Sequence, residues 1–115
     1  MPAYVKRLLI ASAALIAIPS SAYAFTGNDL SFWLKIYEKR NEPGSGWDPG
    51  AFIGYVGGVS EVVQGVLFCA PDTATHGQSA AIVAKYLKDH PEQWDKPASS
   101  IVITALSNAY PKCKK

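Results

Sequence analysis

The stretch "AFIGYVGGVSEVVQGVLFCA", Ala51 to Ala70, decides the fold. Phe52, Tyr55, Val56, Val59, Val62, Val63 and Val66 recur at spacings of three and four, the apolar stripe of an amphipathic helix. The spacing predicts a helix over Ala51–Leu67. Four glycines, Gly54, Gly57, Gly58 and Gly65, lie inside that span, and each costs up to about 1 kcal/mol relative to alanine. The valines lower the propensity further, so such a helix is held by packing. Gly54, Gly58 and Gly65 fall near one side, where another backbone can come close. A neighbouring helix of the same chain and a second copy of the chain both fit that description.

The rest of the chain carries the same periodicity, and no run alternates at period two. After Gly27, Asn28 suits the cap of a helix running to about Asn41, with Leu30, Trp33, Leu34 and Tyr37 on one face. "NEPGSGWDPG", Asn41 to Gly50, is loop chemistry and carries Trp47. Thr75 followed by Gln78 is a capping box. It opens a helix through Ile82, Val83, Tyr86 and Leu87 that stops near His90, because Pro91 disfavours helical geometry at the residue before it. "PEQWDK" is a turn. Pro97 suits a first helical position, and Ala98, Ile101, Val102, Ala105, Leu106 and Ala109 form the buried face of a last helix that Pro111 ends. The expected fold is all-α: a small compact bundle of four main helices, with a short extra turn allowed, stapled by one disulfide.

Two segments of unlike character divide the 115 residues. Lys6 and Arg7, the apolar run Leu8 to Ile18, and Ala22-Tyr23-Ala24 have the n-region, h-region and small-residue site of a secretory signal peptide. The apolar run is far short of the roughly 20 residues that cross a bilayer. Residues 1–24 are therefore expected to be a cleaved leader, and residues 25–115 a single periplasmic domain with no membrane anchor. Without the leader the chain has as many acids as bases, which argues against nucleic acid or an anionic surface as partner. A domain this small gains marginal stability from burial alone. Cys69 and Cys113, the two cysteines of the chain, are expected to form a disulfide in an oxidising compartment.

Catalytic chemistry finds little footing. Cys69 lies seven residues before His76, but a disulfide-bonded sulfur is no nucleophile. Cys69, His76, His90 and Cys113 lack the paired spacings of a zinc site, and the carboxylates are scattered singly. No catalytic residue, metal or cofactor is expected, and the chain reads as a non-catalytic binding protein. Trp47 and Trp94 are candidate anchors on loops, although each can equally be tucked under its own loop.

From Phe25 to Cys113 the chain resembles the Rap/Tai family, periplasmic immunity proteins against type VI secretion amidase toxins. The resemblance is carried by "TGNDL" at Thr26, "GYVGGVSE" at Gly54, "FCAP" at Phe68 and "TATHGQ" at Thr73. "VAKYLKDHPE" at Val83 and "PASSIVITALSNAYP" at Pro97, followed by the terminal cysteine, extend it. It implies an all-helical, often dimeric protein that binds a peptidoglycan amidase and blocks the cleft where cell-wall peptide cross-links are cut. With that reading, Asp72, Thr73, Thr75, His76 and Gln78 form one expected contact region, and Glu92, Trp94 and Asp95 another. Many relatives have a second disulfide between the first two helices. Here the neighbouring positions are Trp33, Leu34 and Phe52, and apolar packing is expected in its place. A different class, a small periplasmic chaperone of the acid-stress type, would also be helical with one disulfide.

Overall fold

The computed structural model describes residues 24–42 and 49–114. The expected leader cleavage and Trp47 concern residues 1–23 and 43–48, outside the described ones. Four helices make the domain: α1 (Gly27–Glu38), α2 (Gly50–Val63), α3 (His76–Asp89) and α4 (Ala98–Ala109), with one 3-10 turn, Pro91–Gln93, between the last two. Among the described residues there is no strand, only the isolated bridges Thr26–Pro97 and Gln64–Phe68.

Each helix turns its apolar stripe inward. Leu30 and Leu34 of α1, Phe52 and Val56 of α2, Val83 and Leu87 of α3, and Ile101, Val102, Ala105 and Leu106 of α4 close around one core that also takes Phe68 from the α2–α3 connection. Burying each of these larger side chains contributes about 1.5–3 kcal/mol. This packing, not propensity, holds the glycine-rich α2. The α1–α2 seam is aromatic: Trp33 lies 4.8 Å from Phe25 and 5.6 Å from Tyr55, and Tyr37 lies 5.4 Å from Phe52. Leu34 and Phe52 are themselves buried. Apolar packing thus occupies the α1–α2 seam at Trp33, Leu34 and Phe52. Lys88 of α3 reaches Glu38 of α1 at 2.7 Å, an exposed pair of small energetic weight.

The boundaries differ from the expected ones at both ends of α1, at the end of α2 and at the start of α4. Helix α1 is capped by Thr26, not Asn28: the Thr26 N–H donates to Asp29 Oδ2 at 2.9 Å. A Thr-x-x-Asp pair satisfies the first turn as Thr-x-x-Glu would. Asn28 sits inside the helix, its N–H donating to the Trp94 carbonyl at 2.8 Å. Helix α1 also ends at Glu38, three residues before the expected Asn41. Helix α2 stops at Val63, not Leu67, because Gly65 takes φ +84°, the left-handed conformation that glycine adopts at helix ends. The apolar spacing runs on through Val66, so periodicity alone overshoots. Finally, Pro97 stands one residue outside α4, which starts at Ala98.

The first helix is anchored by a close approach. A Cβ on Gly27 would lie 2.5 Å from Ile101 Cδ1 and 2.6 Å from the Trp94 Cα, so only glycine lets α1 seat against the turn before α4. Around it, Gly27 N–H donates to the Lys96 carbonyl at 2.9 Å and Ala98 N–H to the Phe25 carbonyl at 2.8 Å. Gly54 and Gly58, by contrast, have nothing within 4 Å of an added Cβ. They admit no other helix among the described residues, and Gly65 has left the helix altogether.

Candidate functional site

The chain between α2 and α3 has almost no repeating structure, yet its geometry is closely determined. At its start, Gln64 N–H donates to the Ser60 carbonyl at 2.8 Å, Gly65 N–H to the Phe68 carbonyl at 2.9 Å, and the Val66 and Leu67 N–H groups both to Val63 at 3.0 Å. This turn sends Phe68 into the core, where it stacks on Tyr110 with ring centroids 5.8 Å apart. Val66 and Leu67 point outward. The Gln64 carboxamide folds over the turn: its Oε1 accepts from the Ala70 N–H at 3.3 Å and its Nε2 donates to the Ala70 carbonyl at 3.4 Å. Next, Cys69 is bonded to Cys113 across a sequence separation of 44, and its N–H donates to the Pro111 carbonyl at 2.8 Å. The expected disulfide is therefore present, and Cys69 offers no thiolate to His76.

Beyond the bridge the chain turns, with Ala74 N–H donating to the Pro71 carbonyl at 2.9 Å. Thr75 then caps α3 as its spacing predicts. Gln78 N–H donates to Thr75 Oγ1 at 3.1 Å, and Thr75 N–H donates to Gln78 Oε1 at 2.8 Å. Asp72, Thr73, Thr75, His76 and Gln78 are all exposed. They form a ridge between two clefts. On one side is a polar cleft of about 220 Å³ that includes Glu61, Gln64, Asp72, Thr75 and His76. On the other is a more apolar cleft of about 400 Å³ that includes Thr73, Gln78, Ile82 and Tyr110. His76 borders Gly57 of α2, its Nδ1 3.7 Å from where a Cβ would stand. Its Nε2 is 3.7 Å from Glu61 Oε1, an ion pair when the ring is protonated.

Glu92, Trp94 and Asp95 lie elsewhere. Helix α3 has 14 residues, which at 1.5 Å each spans about 21 Å, and the two expected contact regions sit at its opposite ends. The structure does not bring them together. At this far end His90 Nδ1 pairs with Glu92 Oε1 at 2.9 Å, and the His90 ring lies 4.3 Å from that of Tyr86. The hydrogen bond from His90 holds the Glu92 carboxyl below the usual carboxylate range. Lys85 does the same to Asp89 through a 2.7 Å hydrogen bond. Trp94 is half-buried, and its indole N–H donates to the Leu87 carbonyl at 2.8 Å. Asp95 is exposed.

A third concavity, about 480 Å³, runs between α2 and α4 and includes Gly54, Tyr55, Gly58, Val59, Val62, Ser99 and Ile103. It is apolar, and Val62 on its edge is 77% exposed. The sequence marks this face by its glycines and valines. Gln64, Glu61 and Tyr110 had no such signal, because what they meet lies in backbone or in distant chain. Among the described residues no group of three His, Cys, Asp or Glu side chains is arranged to hold a metal. No described helix is long and apolar enough to cross a membrane.

Residues 26–113 match the family model of the Rap1a immunity proteins. The chain belongs to the Rap1a immunity protein family. A comparison with curated proteins and one with solved structures each returned no match. The family match covers all four helices and both cysteines. Membership points to an immunity protein directed at a secreted toxin, whose work is to bind that toxin, in a family generally without catalysis of its own. The family-matched region contains the exposed ridge, the far turn and the apolar α2–α4 face.

Proposed function

We propose that this protein is exported to the periplasm, with its leader removed after Ala24, and there binds a type VI secretion peptidoglycan amidase and occludes its active-site cleft. The observation that carries the reading is the ridge Asp72–Gln78. It is exposed, projects between two clefts, and is hydrogen-bonded from both sides, so little conformational freedom is lost when it enters a concave partner. Asp72, Thr73, Thr75, His76 and Gln78 supply polar contacts at that end. Glu92, Trp94 and Asp95 join them only where the toxin also covers the length of α3. Inhibition by insertion asks no chemistry of the inhibitor: it excludes substrate and water from someone else's catalytic groups.

The test is co-purification from periplasm with the peptidoglycan amidase encoded beside this gene, followed by a cell-wall cleavage assay. A stable complex without cleavage is the expected result. An amidase that stays free and active in the presence of excess protein contradicts the proposal. A homodimer through the open Gly54–Gly58–Val62 face belongs to the same reading, since two copies of an apolar, uncharged groove can cover one another. Light scattering should then give a dimer mass that Gly58→Glu converts to a monomer.

A further inference from the structure

We infer that Gln64 and the Cys69–Cys113 bridge are positioning elements for the Asp72–Gln78 ridge: they act on toxin binding through the shape of the α2–α3 connection. The inference rests on the proposed inhibitory reading and adds to it the residues that set the geometry of the contact.

The connection from Gln64 to Thr75 lies between two helices that are fixed by the core, but neither helix dictates its path. Three attachments do. The first is local: the Gln64 carboxamide takes the place of a backbone partner and closes on both polar groups of Ala70, at 3.3 and 3.4 Å. Gly65 makes this possible, because its φ of +84° turns the chain back within five residues, a conformation a side chain at that position resists. The second attachment is distant: Cys69 is held to the C-terminal tail covalently and by its N–H on the Pro111 carbonyl at 2.8 Å. The third is Phe68, buried and stacked on Tyr110. From Pro71 onward the chain is exposed apart from the half-buried Ala74 until Ser79, so the ridge has no core packing of its own. It inherits its position from Ala70 on one side and from the Thr75–Gln78 capping box on the other.

Gln64 is exposed and outside the core. Its loss should leave the bundle folded while freeing the ridge, and that separates a positioning role from a merely structural one. A pre-organised segment binds with less entropy to lose, so an untethered ridge binds more weakly though every contact residue is intact.

The experiment uses the full chain, exported and purified from periplasm, as wild type, Gln64→Ala, Gln64→Glu and the double variant Cys69→Ser/Cys113→Ser. Amide hydrogen exchange is read over residues 70–75 together with affinity for the peptidoglycan amidase encoded beside the gene. Gln64→Ala is expected to keep its helical circular dichroism, to speed exchange over 70–75, and to weaken binding by about tenfold, the scale of a lost pre-organised contact. Gln64→Glu keeps the acceptor for the Ala70 N–H and should recover part of both. The cysteine variant should show the larger loosening; if it does not fold, the two Gln64 variants decide alone. Unchanged exchange in Gln64→Ala overturns the inference, as does faster exchange with undiminished affinity. A wild-type protein that fails to bind the amidase overturns the inhibitory reading instead, and the exchange data still decide whether Gln64 holds the ridge.

Discussion

The two ends of α3 are built from similar residues and put to opposite uses. At the N-terminal end, Thr75 and Gln78 satisfy the helix locally, within four residues of each other, and leave Asp72, Thr73 and His76 facing solvent. At the C-terminal end, Trp94 returns to Leu87 and the turn that bears it receives α1: its carbonyl accepts from Asn28, and Gly27 is pressed against its Cα. One end caps itself and leaves its polar groups available; the other is a junction on which α1 is seated. Exposed polar groups that the fold positions but does not consume are free to serve a partner. A tryptophan whose N–H and backbone are already engaged is first of all a support.

Substitutions at the two ends should therefore separate stability from binding. The largest effect is expected at the junction: Gly27→Ala forces a Cβ to within 2.6 Å of backbone and should cost about 3 kcal/mol, the upper range of overpacking, read as a lowered midpoint in urea. Trp94→Ala comes next, at about 2 kcal/mol, since a half-buried indole loses part of its packing and its bond to Leu87. If Trp94→Ala instead leaves the midpoint in place and abolishes toxin binding, the contrast between the ends is wrong. At the free end Thr75→Ala should cost about 1 kcal/mol as an ordinary lost cap, whereas Thr73→Arg should leave the midpoint unchanged and weaken the toxin complex. The smallest effect is in pH. The folded-state carboxyl of Glu92 is depressed by His90, so the unfolded chain binds its proton more readily. The stabilisation it brings is present above the ordinary glutamate range and disappears as pH falls through the depressed value. Thermal melts from pH 6 down to pH 2 should fall slightly less steeply in Glu92→Gln than in wild type, and the pair's exposure keeps the difference small.

How far the sequence carried this picture follows from the range over which each interaction acts. The four helices were legible because apolar periodicity is a property of neighbours, and so was the Thr75–Gln78 box. The stop of α2 was written at Gly65, but the valine stripe runs past it and conceals the turn. The cap of α1 was misplaced because Asp29 is a less familiar partner for Thr26 than glutamate or glutamine. The disulfide followed from count and compartment, and its consequence for the ridge did not, since Pro111, Tyr110 and Ala70 meet only in the fold. The glycines of α2 show the same limit. They signal that close approach is tolerated on one face, but only the structure shows that Gly57 faces His76, while a Cβ on Gly54 or Gly58 would meet none of the described residues.

The seat of α1 also bears on the order in which the domain can form. Phe25, Gly27 and Asn28 are bonded to Ala98, Lys96 and Trp94, partners that lie far along the chain. Helix α1, the first of the described helices, is thus among the last to be locked. Its apolar face meets α2 through Trp33, Tyr37, Phe52 and Tyr55, but its N-terminal seat waits on contacts distant in sequence, which form slowly. A chain folding into this domain keeps the start of α1 unlocked until the turn at Trp94 is made, which makes that interval its period of greatest exposure to aggregation and proteolysis.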